Sequence, residues 1–161
     1  MTLRLHVLLP LFLLCMMASS CQETKVRKVW TEEGQIHTSN GVYFVQGVCY
    51  HPVAVGQNKR SFETLTQDLA LMQDMGINTI RVYEPIASEA VLDEIYKSGI
   101  SVIVGIGYNQ GGDYDLQSGT YLDYVKRFKS HPAILLWELG NEYNFHPEWF
   151  GGSLDLWYEK L

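Results

Sequence analysis

The chain has 161 residues, 47% of them apolar and 19% charged, which suits one compact domain or part of one and excludes a fibrous or disordered protein. Its formal charge is −6, from 12 basic and 18 acidic residues with no basic cluster, so the electrostatic footprint of a nucleic-acid binder is absent.

Residues 1–21 form a targeting segment. Arg4 and His6 open it, residues 7–17 are an apolar run too short to anchor stably in a bilayer, and Ala18-Ser19-Ser20-Cys21 ends it. That ending resembles a bacterial lipobox, which implies a lipidated Cys21 and an extracytoplasmic protein anchored at the outer membrane or cell surface. Cleavage by ordinary signal peptidase, followed by secretion, is the alternative. With Cys15 in the leader and Cys21 acylated, Cys49 stands alone; it is expected to be a buried structural thiol, and no disulfide framework forms. Residues 22–40 are expected to be a polar tether followed by a short hairpin or capping segment.

A strand is predicted over residues 41–48, leading into Cys49-Tyr50-His51-Pro52 and placing His51 at a strand end. Residues 61–75 are predicted to be helical, with Phe62, Leu65, Leu69, Met72 and Met75 as the inward stripe and Gly76 as the stop. A second strand follows over residues 77–83. It puts Arg81 on one face with Thr79 and Tyr83, where a buried arginine requires a partner. A helix over residues 87–98 closes at Gly99, and a third strand takes residues 100–106. The loop 107–118, with Tyr108, Asn109, Asp113 and Asp115, lacks the lysine and spacing of a phosphate loop and is read as a substrate-side loop.

After a helix over residues 121–129 comes the segment 131–142, H-P-A-I-L-L-W-E-L-G-N-E. Its continuous apolar run at residues 133–136 suits a parallel strand covered on both faces. Glu138 shares the parity of Leu136 and Gly140, as an ion-pair or pocket-floor residue would. Gly140 lets the backbone leave the strand, so that Asn141 and Glu142 are presented together at its tip. An aromatic loop, residues 143–152, and the start of a further helix complete the chain.

Strand and helix alternating in this way predict an α/β protein built as a (β/α)8 TIM barrel, with strands 1–4 and helices 1–3 present. The segments F-V-Q-G-V-C-Y-H-P, M-G-I-N-T-I-R-V-Y and H-P-A-I-L-L-W-E-L-G-N-E resemble the retaining β-glycosidases of clan A. The likeness is nearest the TIM-barrel domain of glycoside hydrolase family 2, the β-galactosidase and β-glucuronidase type, and spans residues 41–161. It implies Glu142 as acid/base, Asn141 on the sugar 2-hydroxyl, and Arg81 beside the nucleophile. His51, Tyr83, Asn109 and Trp149 complete the expected substrate-binding set. Tyr50, Tyr108 and Tyr143 are further aromatic candidates for stacking on sugar.

The clan carries its nucleophile on the seventh strand, so the chain is expected to be the N-terminal half of a barrel, lacking the C-terminal half and inactive alone; Glu84 is a weaker alternative nucleophile. A carbohydrate is the expected partner. No cofactor is implied and no metal, since His51, His131 and His146 fall in no zinc-binding spacing. Two rival readings remain open: a non-catalytic glycan-binding or structural lipoprotein derived from such an enzyme, and a β-glucanosyltransferase, whose opening strand the first segment also resembles.

Overall fold

The computed structural model describes residues 27–107, 113–150 and 153–159. An antiparallel meander comes first: β1 (Val29–Glu32), β2 (Gln35–Thr38) and β3 (Gly41–Val42). The β1–β2 turn is Glu33-Gly34, both at positive φ (50° and 76°), the two-residue geometry whose twist matches that of paired strands. Trp30 and His37 sit opposite in register and stack at 5.5 Å. The hairpin expected before residue 41 is therefore present.

The second sheet holds four parallel strands in sequence order: β4 (Gly47–Cys49), β5 (Thr79–Val82), β6 (Ser101–Ile106) and β7 (Ile134–Leu139). The helices α1 (Leu65–Asp74), α2 (Glu89–Lys97) and α3 (Tyr121–Phe128) connect them, and α4 (Leu154–Tyr158) follows β7. Parallel neighbours need such crossovers, and covering one face with helices is what buries the sheet.

The single strand expected over residues 41–48 is two strands in two sheets. Gly41, at φ 104°, and Val42 close the meander, and the parallel sheet begins only at Gly47. Between them, side chains add to a few backbone bonds, the Tyr43 N–H donating to the Ile36 carbonyl (2.7 Å) and the Asn78 N–H to the Gln46 carbonyl (2.9 Å). The Asn78 amide donates to the Phe44 carbonyl (2.7 Å) and accepts from the Gln46 N–H (2.9 Å). The Tyr43 hydroxyl bonds the Asn78 carbonyl (2.8 Å) and meets the Thr79 and Ser101 hydroxyls at 2.9 and 3.1 Å. The meander is thereby tied to the N-terminal ends of β5 and β6.

Alternation along the strands sends Ile80, Val82, Val102, Val104 and Ile106 to the helical face, where each is at most 1% exposed. There they form one core with Leu65, Leu69, Leu92, Ile95, Tyr124 and Phe128. The run at residues 133–136 is apolar for a more specific reason than burial on both faces. The β6–β7 register slips, Val102 facing Ile134 and Ile103 facing Leu136, so Leu135 is a bulge residue and Ile134 and Leu135 are both buried.

Helix α1 starts four residues later than expected. The Ser61 N–H donates to the Pro52 carbonyl (2.8 Å) and Val53 bridges Arg60, holding the chain extended there. Met75 does not join the core: it is 74% exposed, and neighbouring Leu71 is 63% exposed, because this flank of α1 overhangs the outer edge of β4. Cys49 is likewise exposed and not a buried thiol, since β4 is an edge strand and Cys49 lies on the face away from the helices.

Two tyrosines tie the helices to the sheet. Tyr50 donates to Asp68 Oδ2 (2.7 Å) and Tyr124 to the Ile86 carbonyl (3.0 Å). Burial, first of all, holds both phenols above their ordinary range, with the Asp68 carboxylate adding to it at Tyr50. A raised folded value means the native state keeps protons that the unfolded chain sheds near pH 10. This stabilisation is complete below about pH 10 and is lost as pH climbs toward the folded values. An alkaline titration should therefore show a late group of phenolate signals rising together with loss of helical circular dichroism; independent early ionisation of every tyrosine would contradict the burial.

Candidate active site at the C-terminal ends of the parallel strands

Arg81 organises the site. From β5 its guanidinium reaches across β6 to β7, where Nε donates to Glu138 Oε2 (2.6 Å) and Nη2 to Glu138 Oε1 (2.8 Å). This two-pronged pair is the arrangement the fork of an arginine suits best. Nη2 also donates to Asn141 Oδ1 (2.8 Å), while Nη1 lies 3.9 Å from the Cys49 sulfur. The bond to Glu138 holds the guanidinium even further above neutrality than usual, against the opposing effect of burial. Arg81 is thus a fixed cation. Because it offers only donors, it turns the Asn141 amide oxygen inward and leaves the amide nitrogen as the end available to a ligand.

The rest of the cluster lies on the same side. The Arg81 guanidinium sits 4.3 Å from the Tyr83 ring centre, within cation–π range, and the His51 ring meets Tyr83 edge-on at 6.4 Å. Contact with the Cys49 thiol is the main cause holding the Tyr83 phenol above its ordinary range. Four predicted residues, His51, Arg81, Tyr83 and Asn141, therefore form one constellation.

Glu142 follows immediately, exposed, in a backbone conformation side chains avoid: its φ is 56°. Its carbonyl accepts the N–H groups of Phe145 and His146, both at 2.9 Å, so a tight turn directly after Gly140 (φ 81°) holds the strained residue in place.

Other predicted residues are placed differently. Tyr50 and Tyr143 are core residues, 7% and 2% exposed, with the Tyr143 hydroxyl bonded to the Gly107 carbonyl; they are packing, not sugar platforms. Trp149 falls in a 3-10 turn, Pro147–Phe150, but its side chain lies outside the described residues, as do Tyr108, Asn109 and Cys21. Among the described residues no three His, Cys, Asp or Glu side chains converge on a point where a metal could sit. His131 lies instead near the start of β7, 3.4 Å from Asp93, its Nδ1 accepting the Ala133 N–H.

Two residues outside the expected set support the site. Glu138, whose parity with Gly140 marked it as an ion-pair or pocket-floor residue, is the partner of the half-buried Arg81. Arg60 carried no sequence signal. It donates to the carbonyls of Glu84 (2.6 Å) and Pro85 (2.7 Å) while stacked on Phe62, fixing the loop that leaves β5 just after Tyr83.

No protein-family model matches the chain. Over 140 residues it is 29% identical to a β-glucuronidase of Chlorocebus aethiops, a match covering 81% of this chain but only 22% of that protein. In fold it is similar to a family 2 β-galacturonidase of Eisenbergiella tayi (TM-score 0.59, 21% identity, 83% of this chain and 26% of that one). It is also similar to a β-glucuronidase of Parabacteroides merdae (TM-score 0.52, 25% identity, 73% and 16%). The chain thus spans about a quarter or less of these relatives. Together with the observed topology, these likenesses show a mixed α/β fold built on a parallel sheet.

Proposed function

We propose that β4 to β7 are the first four strands of a (β/α)8 barrel, and that the chain carries the acid/base half of a retaining β-glycosidase active site. The observation that carries this reading is the Arg81 fork, holding Glu138 and Asn141 together beside Glu142 at the C-terminal ends of parallel strands, where such barrels place their chemistry. In this reading Glu142 protonates the departing glycosidic oxygen and then deprotonates the attacking water. Asn141, its oxygen held by Arg81, offers its amide N–H groups to the sugar. The second carboxylate must stand about 5–5.5 Å from the first in a retaining enzyme. Glu138 does not suit that role, because both of its oxygens are engaged by Arg81; the nucleophile belongs to a further strand that completes the barrel.

The relatives favour β-linked uronides as substrates. Residues 1–21 are proposed as a leader ending at an acylated Cys21, residues 22–40 as tether and cap, with β3 at residues 41–42 completing the cap's meander, and the chain from β4 to residue 161 as barrel. The bonds from Tyr43 and from Arg27 Nη1 to the Ser101 hydroxyl (2.6 Å) support a capping role for the segment before β4.

The test is an assay of a protein carrying this chain together with the rest of its barrel, using a panel of aryl β-glycosides including the glucuronide and galacturonide, with the product anomer followed by NMR. Release of the β-anomer first is expected, with uronides ahead of neutral sugars. Release of the α-anomer first would replace the retaining mechanism with an inverting one, and no turnover of any β-glycoside would favour a glycan-binding role.

A further inference from the structure

We propose that the chain holds a second carbohydrate site, for a uronate-bearing sugar, in a cavity of about 460 Å³ between the meander and the N-terminal ends of the parallel strands. One wall is the β2–β3 hairpin with its two-residue turn Ser39-Asn40, and the other runs from Tyr96 in α2 to Ser101 at the start of β6. In the sheet β6 lies between β5 and β7, so the cavity is built away from both outer strands. It also lies at the opposite ends of the strands from Arg81, Asn141 and Glu142, and is therefore distinct from the cluster proposed for catalysis.

Arg27 gives the cavity its chemistry. Its Nη1 donates to the Ser101 hydroxyl (2.6 Å) and its guanidinium sits 5.0 Å from the Tyr43 ring centre, so neutral partners fix it in place. Among the described residues it has no carboxylate partner, although the chain carries 18 acidic residues, and no acid lines the cavity. A half-buried cation with N–H groups to spare, facing a space free of acids, suits an incoming carboxylate. The remaining lining suits a sugar ring rather than a bare anion. Tyr96, 45% exposed, offers an aromatic face, and among the described residues the side chains of Ser39 and Asn40 make no hydrogen bond, leaving a hydroxyl and an amide for sugar hydroxyls. The volume is within the range of small-ligand sites and larger than an inorganic ion needs. The choice of a uronate rests on the glycosidase reading above, whereas the preference for an anion rests on Arg27 alone.

The test is an NMR titration of the full chain, isotopically labelled and held in detergent micelles, with glucuronate, galacturonate, glucose and inorganic phosphate in turn. Both uronates should shift the Ser39, Asn40 and Ser101 amides saturably. Glucose, which lacks the carboxylate, and phosphate, which lacks the ring, should each bind there at least about tenfold more weakly. Arg27→Gln should weaken uronate binding by a similar factor. Asn40→Ala, in an exposed turn and without loss of the bond to Ser101, should weaken it as well, and both variants should keep their circular dichroism. No saturable shift at these amides, glucose or phosphate binding as tightly as the uronates, or uronate affinity indifferent to either substitution would each overturn the proposal. Uronate shifts confined to Arg81 and Asn141 would overturn this site while supporting the glycosidase reading, so the two fail separately.

Discussion

In the proposed glycosidase with its barrel complete, Glu142→Gln is expected to lower turnover of a natural glycoside by about 10²–10⁴-fold, the range typical of losing a positioned proton donor. The effect should depend on the leaving group. Glycosides of acidic phenols depart with little protonation, so their glycosylation step should be far less affected than that of alkyl or sugar leaving groups. Glutamine meets the same backbone difficulty at φ 56° as glutamate, so the substitution alters proton transfer while leaving the turn comparably strained. Pre-steady-state kinetics on paired substrates would isolate the step. A loss of equal size on both would remove Glu142 from the acid role and direct attention to the positioning of the whole turn.

Gly105→Val is expected to be the most damaging single change to stability. A Cβ at position 105 would lie 2.7 Å from the Val82 carbonyl oxygen and 3.3 Å from the Tyr83 Cα, backbone atoms at and just past the end of β5 that no rotamer can move. Overpacking of a core costs about 1–3 kcal/mol and occasionally more; a rigid neighbour and a branched side chain place this case at or above the top of that range. Gly105 is also the register partner of Glu138, on the strand that the Arg81–Glu138 pair spans, so prying β5 from β6 should loosen the site together with the fold. Urea unfolding of Gly105→Ala and Gly105→Val would measure this. A valine variant within 0.5 kcal/mol of the parent, roughly the scatter of an innocuous surface change, would show that the strands separate cheaply.

How legible these features were depended on what sort of information fixed them. The parallel strands and their helices were readable because apolar periodicity reports burial, as at Leu92 and Ile95, or Val102 and Val104. The division of residues 41–48 was not. Its cause is side-chain bonding by Asn78 and Tyr43, residues far apart in sequence or outside any period. Arg81 was legible as a residue in need of a partner and Glu138 as an ion-pair or pocket-floor residue, but no local pattern joined the two, which meet across an intervening strand. The Leu135 bulge was hidden because an apolar run looks the same whether it alternates or slips. Tyr50 and Tyr143 sit at strand ends, as sugar-stacking residues would, but their hydroxyls had intramolecular partners that no local pattern shows.

The backbone at Glu142 also bears on how this protein tolerates variation. A conformation at φ 56° favours glycine or asparagine, and any other side chain there carries a cost on the order of 1 kcal/mol. A library of variants sorted only for heat resistance would therefore drift toward glycine at position 142, gaining robustness and discarding the carboxylate. Under the proposed acid/base role, selection on folding and selection on chemistry pull in opposite directions at this one residue, so a stability-optimised descendant should be screened for Glu142 before any loss of activity is attributed elsewhere.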